Sequence, residues 1–539
     1  MKMKKIYAIL SVVAILSTAA CSKDFLETTP TDKVAGPTIF SSGESAMVAV
    51  NGIYRAMYSG AWSEGWEAEN GGMAAYNLVF DIYAEDHVMD NAGSGWFYYD
   101  YAYDTWGDYT HKRGHSYGIW NFFYTIICNA NYIIANEKTV DMEGTTEDSR
   151  NWCSAIGQAY ALRSMAYMWL VQAFQQNGGA AGSDARNLPG VPLYTEPTVA
   201  GSEGKGRGTV GDVYKQANSD IDKAIELIAK SGLAAADNSQ IGLNVAYGLK
   251  ARHAMVQRDY TVALEAAKKA LEGGVIASMA DIAKPVNDAS ASNVMWGFTV
   301  QKDHSIQSWD IFDHMDADGL STYSVARHLI GNWLYDQIPE GDARLAWWTA
   351  PLPEEEWGGA GTKEGSKRSW CNKKMVWKDA ATSLGDHVMM RTEEMYLIAA
   401  EAACHQEQYT EARKYLSDFE KNRMEGYETR LEGFRNSNEY NGKDGVGSTT
   451  DELVTLMDEI LFQRRVEFWS ELPRMFDLQR LDLGFDRCWD GTNHTEDLSA
   501  SKFNTNPHSP QFILHIPQSE FDGNENMDSA KDQNPSFTN

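Results

Sequence analysis

The sequence contains an internal repeat with a spacing of 149 residues. Five positions of the first copy recur in the second: Ala251, Ala254, Tyr260, Thr261 and Ala263 match Ala400, Ala403, Tyr409, Thr410 and Ala412. Small residues let paired helices approach closely, and a tyrosine that opens the second helix can fill the space between them. Each copy is therefore predicted to form two antiparallel helices joined by a short turn.

Helical periodicity extends well beyond this repeat. Further helices are predicted at 44–58, 117–137, 151–176, 210–230 and 451–480. The intervening stretches are rich in Gly, Asn, Asp, Trp and Tyr, and insertions of such length usually serve a function. The predicted fold class is mainly α, a tetratricopeptide-like helical repeat scaffold with large irregular ligand-binding inserts. A single domain is predicted at 41–539. Its helical scaffold lies mainly at 41–58, 117–275 and 385–484, and its irregular inserts lie at 59–116, 276–384 and 485–539.

One charged residue falls within an apolar helical stripe. The stripe consists of Ile156, Ala159, Tyr160, Tyr167, Leu170 and Phe174, and Arg163 shares their face. A buried guanidinium needs a partner or access to water. We expect Arg163 to pair with a carboxylate and hold two helices together.

The N-terminal segment has the pattern of a bacterial lipoprotein leader. Lys2, Lys4 and Lys5 precede an apolar run at 6–20 that is too short to span a bilayer. The run ends in the small residues Thr18-Ala19-Ala20, and Cys21 stands where cleavage would leave it first. Residues 1–20 are predicted to be a signal peptide, and 21–40 a tether lipidated at Cys21. The alternative is an ordinary secreted protein in which Cys21 has no role.

Charge and cysteine content exclude several classes of function. The net charge is −28, which disfavours nucleic acid as a partner but does not penalise an uncharged sugar. The six cysteines show neither CxxC spacing nor a Cys/His zinc pattern, so no metal or cofactor is predicted. No recognised catalytic motif stands out among the 75 acidic residues, and the chain is predicted not to be an enzyme.

The densest aromatic segment begins at Trp96. Eight of the fourteen residues from 96 to 109 are aromatic, against 12% in the whole chain. Sugar rings stack their C–H faces on flat side chains, while short polar side chains bind the hydroxyls. The predicted ligand-binding residues are Trp96, Tyr98, Tyr99, Asp100 and Tyr101, with Trp66 and Trp309 as second candidates. The alternative is an aromatic strand or loop that packs on the helices, since alternation at 99, 101 and 103 fits one buried face.

Three motifs occur in order along the chain. One comprises Ile460, Arg464, Arg465, Glu467, Phe468, Glu471, Arg474, Asp477, Leu478 and Arg480. A second runs from Arg391 through Glu394 to Ala402, and a third joins Leu162-Arg163-Ser164 and Tyr167 to Gly190-Val191-Pro192-Leu193. Together they resemble the SusD/RagB family of outer-membrane lipoproteins, to which the first motif is the clearest match. That motif departs from the family pattern at Gln463, where Glu is usual, and at Ser470 and Leu472, where Gly is usual.

The resemblance implies a function in nutrient capture. Such proteins are helical, lie on the extracellular face of the outer membrane through a lipid anchor, and cover a SusC-type TonB-dependent transporter. Their usual ligands are oligosaccharides, which they bind without chemistry. One branch, of the RagB type, binds peptides or proteins instead. Glycan capture is favoured by the aromatic segment, and peptide capture remains the alternative.

Overall fold

The computed structural model describes residues 40–65, 68–103, 108–176, 186–199, 201–319, 326–360, 362–441, 453–494, 504–505 and 507–535. The predicted signal peptide, Cys21 and nearly all of the tether lie outside these residues, as does Trp66. Among the helices described, none has the length and apolar character required to cross a bilayer.

Helices dominate the described residues, as the periodicity predicts. They are α1 Gly43–Met57, α2 Met73–Ile82, α3 Tyr98–Tyr101, α4 His115–Ile134, α5 Glu147–Phe174, α6 Val210–Ser231, α7 Leu243–Val256, α8 Tyr260–Ala270, α9 Met279–Ile282, α10 Ile311–Met315, α11 Asn332–Asp336, α12 Thr392–His405, α13 Tyr409–Glu420, α14 Tyr427–Glu432, α15 Leu456–Glu467, α16 Arg474–Leu481, α17 Gln518–Gly523 and α18 Ser529–Asp532. The mainly α fold class is confirmed.

The strands are short and pair two by two. They are β1 His87–Met89, β2 Pro189–Pro192, β3 Arg207–Thr209, β4 Val294–Phe298, β5 His328–Ile330, β6 His387–Arg391, β7 Phe485–Asp486 and β8 Asn504–Thr505. The antiparallel pairs are β1 with β5, β2 with β3, β4 with β6, and β7 with β8. The β1–β5 pair joins the first insert to the second, and therefore brings together two regions that are distant in sequence.

The scaffold helices pack in sequence order. Helix α4 lies along α5, α5 along α6, and α7 follows with α8 and then α12. Arg163 on α5 makes two hydrogen bonds to Asp220 on α6, at 2.8 and 2.7 Å, and a third to Asn131 on α4 at 2.7 Å. The predicted buried Arg–carboxylate pair is confirmed, and it holds three helices in register.

The two repeat copies form equivalent helical hairpins. In each turn one residue adopts a left-handed backbone, Arg258 with φ of 57° and Glu407 with φ of 59°. The next backbone N–H then reaches back to a helix carbonyl, Asp259 to Ala254 and Gln408 to Ala403, at 2.9 Å in both cases. This geometry is compatible with tetratricopeptide-type units.

The helix predicted at 451–480 is in fact two helices. It is interrupted between Glu467 and Arg474, because Ser470 adopts φ of +62° and Pro473 precedes the first residue of α16. A left-handed backbone at this position explains why glycine is usual there. The backbone N–H of Ser470 donates to Asp81 Oδ2 at 3.0 Å, which fixes the turn against α2.

Buried ion pairs connect the scaffold to the inserts. Glu467 on α15 contacts Arg344, Arg391 and Arg423 at 3.3, 2.7 and 2.9 Å. Burial acts to raise the pKa of Glu467, but the three guanidiniums outweigh it and hold this pKa well below its ordinary range. The carboxylate therefore stays ionised at the centre of the fold.

The first insert is fixed by a second set of ion pairs. Arg465 binds Asp86 through two nitrogens, Nε at 2.8 Å and Nη2 at 2.5 Å, and Arg474 Nη2 lies 2.8 Å from Glu85 Oε1. These four residues are buried. Glu85 and Asp86 immediately precede β1, so the segment that leads to the aromatic run is anchored to α15 and α16.

Candidate functional site

The aromatic run begins in a tight loop. Gly93 and Gly95 have φ of 49° and 97°, and Phe97 has φ of 58°. A Cβ on Gly95 would collide with the ring of Tyr99, so glycine is needed for this ring to lie across the loop. The N–H groups of Tyr98 and Tyr99 donate to the Gly95 carbonyl at 3.1 and 3.2 Å, and α3 follows. The described residues 96–103 form a loop and one helical turn, so the strand considered for them is wrong.

Trp96 and Trp309 are brought together from different inserts. Their ring centroids lie 5.6 Å apart with the planes at 88°, an edge-to-face arrangement. Trp309 ends a 3-10 turn at Gln307–Trp309, and Gln307 beside it is exposed. Both tryptophans are half-buried, with one side against the core.

Two tyrosines follow Trp96 in the same segment of the chain. Tyr99 is 51% exposed, Tyr98 is half-buried, and their centroids lie 5.7 Å apart. Together Trp96, Trp309, Tyr98 and Tyr99 form what we call the aromatic surface. Within each pair the ring planes differ in direction, by 88° for the tryptophans and 60° for the tyrosines.

A rigid layer lies beneath the aromatic surface. Phe97 is fully buried and meets His314 and His328 edge-on at 5.3 and 6.0 Å. Burial lowers the pKa of His314 to about 4, so this imidazole is neutral at neutral pH. The backbone N–H of Phe97 donates to Glu69 Oε1 at 2.7 Å. The loop is therefore held in place by its backbone and by the buried ring of Phe97.

Glu69, which accepts the hydrogen bond from Phe97, has an unusually high pKa for a glutamate. Burial raises its pKa to about 8, and the nearby charge of Asp100 adds to this effect. The carboxyl group is therefore mainly protonated at neutral pH.

Two predicted binding residues are buried within the fold. Asp100 is fully buried, with Oδ1 2.6 Å from His115 Nε2, and it accepts a hydrogen bond from the Tyr83 hydroxyl at 3.3 Å. Tyr101 is also fully buried, and its hydroxyl oxygen lies 2.5 Å from His494 Nδ1. The structure does not place these two side chains on the surface, since both are committed to internal polar contacts.

The matched family models cover most of the chain. One, described as "Starch-binding associating with outer membrane", matches residues 24–247, and another, described as "SusD family", matches 350–537. The chain belongs to the SusD/RagB family. A search of curated protein sequences gives no match.

Several solved structures of proteins from Bacteroides share this fold. A SusD-like carbohydrate binding protein from Bacteroides vulgatus is 22% identical with a TM-score of 0.72, covering 90% of this chain and 98% of the other. A SusD superfamily protein from Bacteroides thetaiotaomicron is 19% identical with a TM-score of 0.67, covering 92% and 100%. Surface glycan-binding protein A from Bacteroides uniformis is 16% identical with a TM-score of 0.63, covering 91% and 99%. At these identities the likeness concerns the fold.

The SusD/RagB motif residues have a structural role in this chain. Arg465, Glu467, Glu471 and Arg474 all make buried ion pairs, and Asp477 bridges Arg464 and Arg480 at 2.8 and 2.6 Å. The motif thus builds the core that carries the inserts rather than the aromatic surface itself. Among the described residues, no group of three or more His, Cys, Asp or Glu side chains is arranged to hold a metal ion.

Sequence reasoning missed the residues that support the site. Glu69 and His314 show no periodic or motif signal. His115 lies four residues after His111, a metal-like spacing only on a helix, but Gly114 between them favours an exposed loop. The structure instead places His115 in the first turn of α4, where it is buried against Asp100. Asp100 lies inside the aromatic run and His115 lies fifteen residues later. Sequence spacing alone does not predict that these two side chains meet.

Proposed function

We propose that this SusD/RagB protein is a cell-surface glycan-binding lipoprotein that captures oligosaccharides on the aromatic surface. The observation that carries the proposal is the meeting of Trp96 and Trp309 from two inserts, beside the exposed ring of Tyr99. Functional residues concentrate on loops that a rigid scaffold positions. Here buried ion pairs and Phe97 provide that rigidity.

The energy available from such a surface suits sugar capture. A sugar face that covers about 60–80 Å² of ring surface contributes roughly 1.5–2 kcal/mol. Two or three rings would give affinities between about millimolar and micromolar after association costs. Gln307 is exposed beside Trp309, and its side-chain amide is suited to bind sugar hydroxyls.

Calorimetry and glycan arrays with the purified protein test this proposal. We expect Trp96→Ala to weaken binding of the selected glycan at least tenfold, about 1.4 kcal/mol. Tyr99→Ala should also weaken it, and with little change in Tm because half of this ring is already exposed. Trp309→Ala should have a smaller effect than Trp96→Ala.

A matched control distinguishes the aromatic surface from aromatic residues in general. Tyr132 on α4 is 37% exposed and lies on the scaffold, so Tyr132→Ala should leave glycan affinity unchanged. Unchanged affinity in both Trp96→Ala and Tyr99→Ala would place the site elsewhere. Binding of peptides in place of every glycan would instead favour the RagB-type alternative.

The captured oligosaccharide is then delivered to a SusC-type TonB-dependent transporter in the outer membrane. Family membership and the predicted lipid anchor at Cys21 support this step, since a surface protein without a pore cannot move its ligand inward. A pull-down from membranes in mild detergent should recover such a transporter. Repeated recovery of the protein alone would argue against delivery.

A further inference from the structure

One buried side chain contacts both loops of the aromatic surface. His314 lies in α10 and is 2% exposed. Its imidazole meets the ring of Trp96 edge-on, with centroids 6.3 Å apart and planes at 71°. Its Nε2 atom lies 3.2 Å from the carbonyl oxygen of Ser308, the residue before Trp309. His314 therefore touches the ring of one tryptophan and the backbone beside the other.

The direction of this hydrogen bond follows from the protonation state of His314. Burial lowers the pKa of the imidazole to about 4, so at neutral pH the ring is uncharged and carries one proton. A carbonyl oxygen can only accept, so a hydrogen bond to Ser308 requires that proton on Nε2. The bond therefore points from α10 into the turn that carries Trp309.

Helix α10 gives His314 an anchored base. The Asp310 side chain accepts a hydrogen bond from the Phe312 N–H at 3.2 Å, and its Oδ2 atom lies 3.0 Å from His387 Nε2 on β6. The Phe312 ring is buried and packs against Trp377, with ring centroids 5.5 Å apart. These contacts tie α10 to β6 and to the segment that precedes β6.

The turn that carries Trp309 is shaped by bonds of its own. The Trp309 N–H donates to the Ile306 carbonyl at 3.1 Å, and Ser305 Oγ donates to the Ser383 carbonyl at 2.7 Å. Such bonds set the shape of the turn and the place of its start. The edge-to-face contact between two indoles is weak by itself. The bond from His314 comes from the side chain that also contacts the first loop, so it relates the position of the turn to that loop.

We propose that His314 is the positioning residue of the aromatic surface, and that its bond to Ser308 holds Trp309 where glycan binding requires it. This inference rests on the proposed function. A binding site needs its contact groups held to within about 0.5 Å by the residues that support them. Since His314 is buried, it acts on the ligand through Trp309.

Two carboxamide variants separate the hydrogen bond from the ring. In His314→Gln the amide nitrogen falls near the place of Nε2 and can still donate to Ser308, whereas in His314→Asn it falls near Nδ1 and does not reach. Both variants lose the imidazole ring, so a difference between them reports the bond to Ser308. His253→Asn is the matched control, because His253 is also buried, with its pKa lowered by burial to about 3, but lies on the scaffold helix α7.

¹⁹F NMR of the full chain labelled with 5-fluorotryptophan follows the two indoles without any ligand. The signals of Trp96 and Trp309 are assigned from their loss in Trp96→Phe and Trp309→Phe. The Trp309 signal should keep its wild-type position in His314→Gln and in His253→Asn, and should shift in His314→Asn. A Trp309 signal that is the same in both His314 variants would overturn the proposal.

Calorimetry measures the consequence for binding. The probe is the oligosaccharide that wild type binds most tightly on an array that includes maltohexaose, cellohexaose, mannohexaose and xylohexaose. His314→Asn should bind it at least about fivefold more weakly than His314→Gln, which should stay within about threefold of wild type, as should His253→Asn. If His314→Asn does not fold, His314→Gln decides the matter, since a loss there as large as in Trp96→Ala would refute the role of the bond.

The proposed function and the role of His314 fail in different ways. If no oligosaccharide binds, or if Trp96→Ala and Tyr99→Ala leave affinity unchanged, the proposed function fails and the role of His314 in binding fails with it. If Trp96→Ala weakens binding while His314→Asn and His314→Gln bind the probe equally well, the aromatic surface stands and only the role of His314 is refuted.

Discussion

Glu69 makes the support of the aromatic surface dependent on pH. Its carboxyl group is buried, accepts the Phe97 N–H, and lies near the charge of Asp100. Burial and that charge raise its pKa from an ordinary 4.5 to about 8. The folded protein therefore retains a proton on Glu69 that the unfolded chain releases above about pH 4.5.

The consequence for stability follows from proton linkage. Between the two pKa values the unfolded state binds fewer protons than the folded state, so the free energy of unfolding falls as pH rises. The slope is about 1.4 kcal/mol per pH unit, so Glu69 lowers stability by at most about 4 kcal/mol between pH 5 and pH 8. Below pH 4.5 this contribution to stability is fully present.

We predict that Glu69→Gln removes this pH dependence. The amide keeps the shape and the acceptor for Phe97 but cannot ionise, so the variant should gain stability relative to wild type as pH rises from 5 to 8. Urea unfolding of both proteins across this range measures the difference, and Glu64→Gln, whose side chain is 69% exposed, is the matched control. If the stability difference between variant and wild type is the same at pH 5 and pH 8, Glu69 is ionised in the fold and the reasoning is refuted.

Three further predictions concern the anchor, the chemistry and the scaffold. Cys21→Ala should move the protein from the outer-membrane fraction to soluble fractions, as immunoblots of fractionated cells would show; unchanged fractionation would count against lipidation. Incubation with any glycan that binds should release no reducing ends, and turnover that depends on one Asp or Glu would contradict this. Arg163→Met should lower the free energy of unfolding by about 3–5 kcal/mol, because Asp220 is left buried without its partner. Lys250→Met, which breaks the more exposed pair with Asp222, should cost less than about 1 kcal/mol in the same denaturation assay.

The scaffold helices could be predicted because the apolar periodicity that defines each helix lies within a short stretch of sequence. Apolar residues at helical spacing locate α4, α5 and α6, and the position of Arg163 within an apolar stripe is enough to require a partner for its charge. In the structure α6 begins after Thr209, whose side-chain oxygen accepts a hydrogen bond from the Asp212 N–H at 3.0 Å. The break at Ser470 was not predicted, since the left-handed residue there is not a glycine.

The candidate site was only partly predictable because its contacts are between distant residues. Composition indicates an aromatic run, but it does not distinguish the exposed ring of Tyr99 from the buried ring of Tyr101. That difference depends on His494, which lies almost four hundred positions later and approaches Tyr101 only in the folded chain. The approach of Trp309 to Trp96 likewise follows from the pairing of inserts, for which neither segment carries a local signal.

The ion pairs of Glu85 and Asp86 with Arg465 and Arg474 have a consequence for how such a protein can diversify. If the proposed function holds, position and recognition are assigned to separate residues: the acidic pair fixes where the loop starts, and the rings after Gly95 contact the ligand. Substitutions among those rings can therefore alter ligand preference while the attachment of the loop stays the same. Related proteins could therefore differ in the ligands that they bind through a few side-chain substitutions, while the fold stays the same.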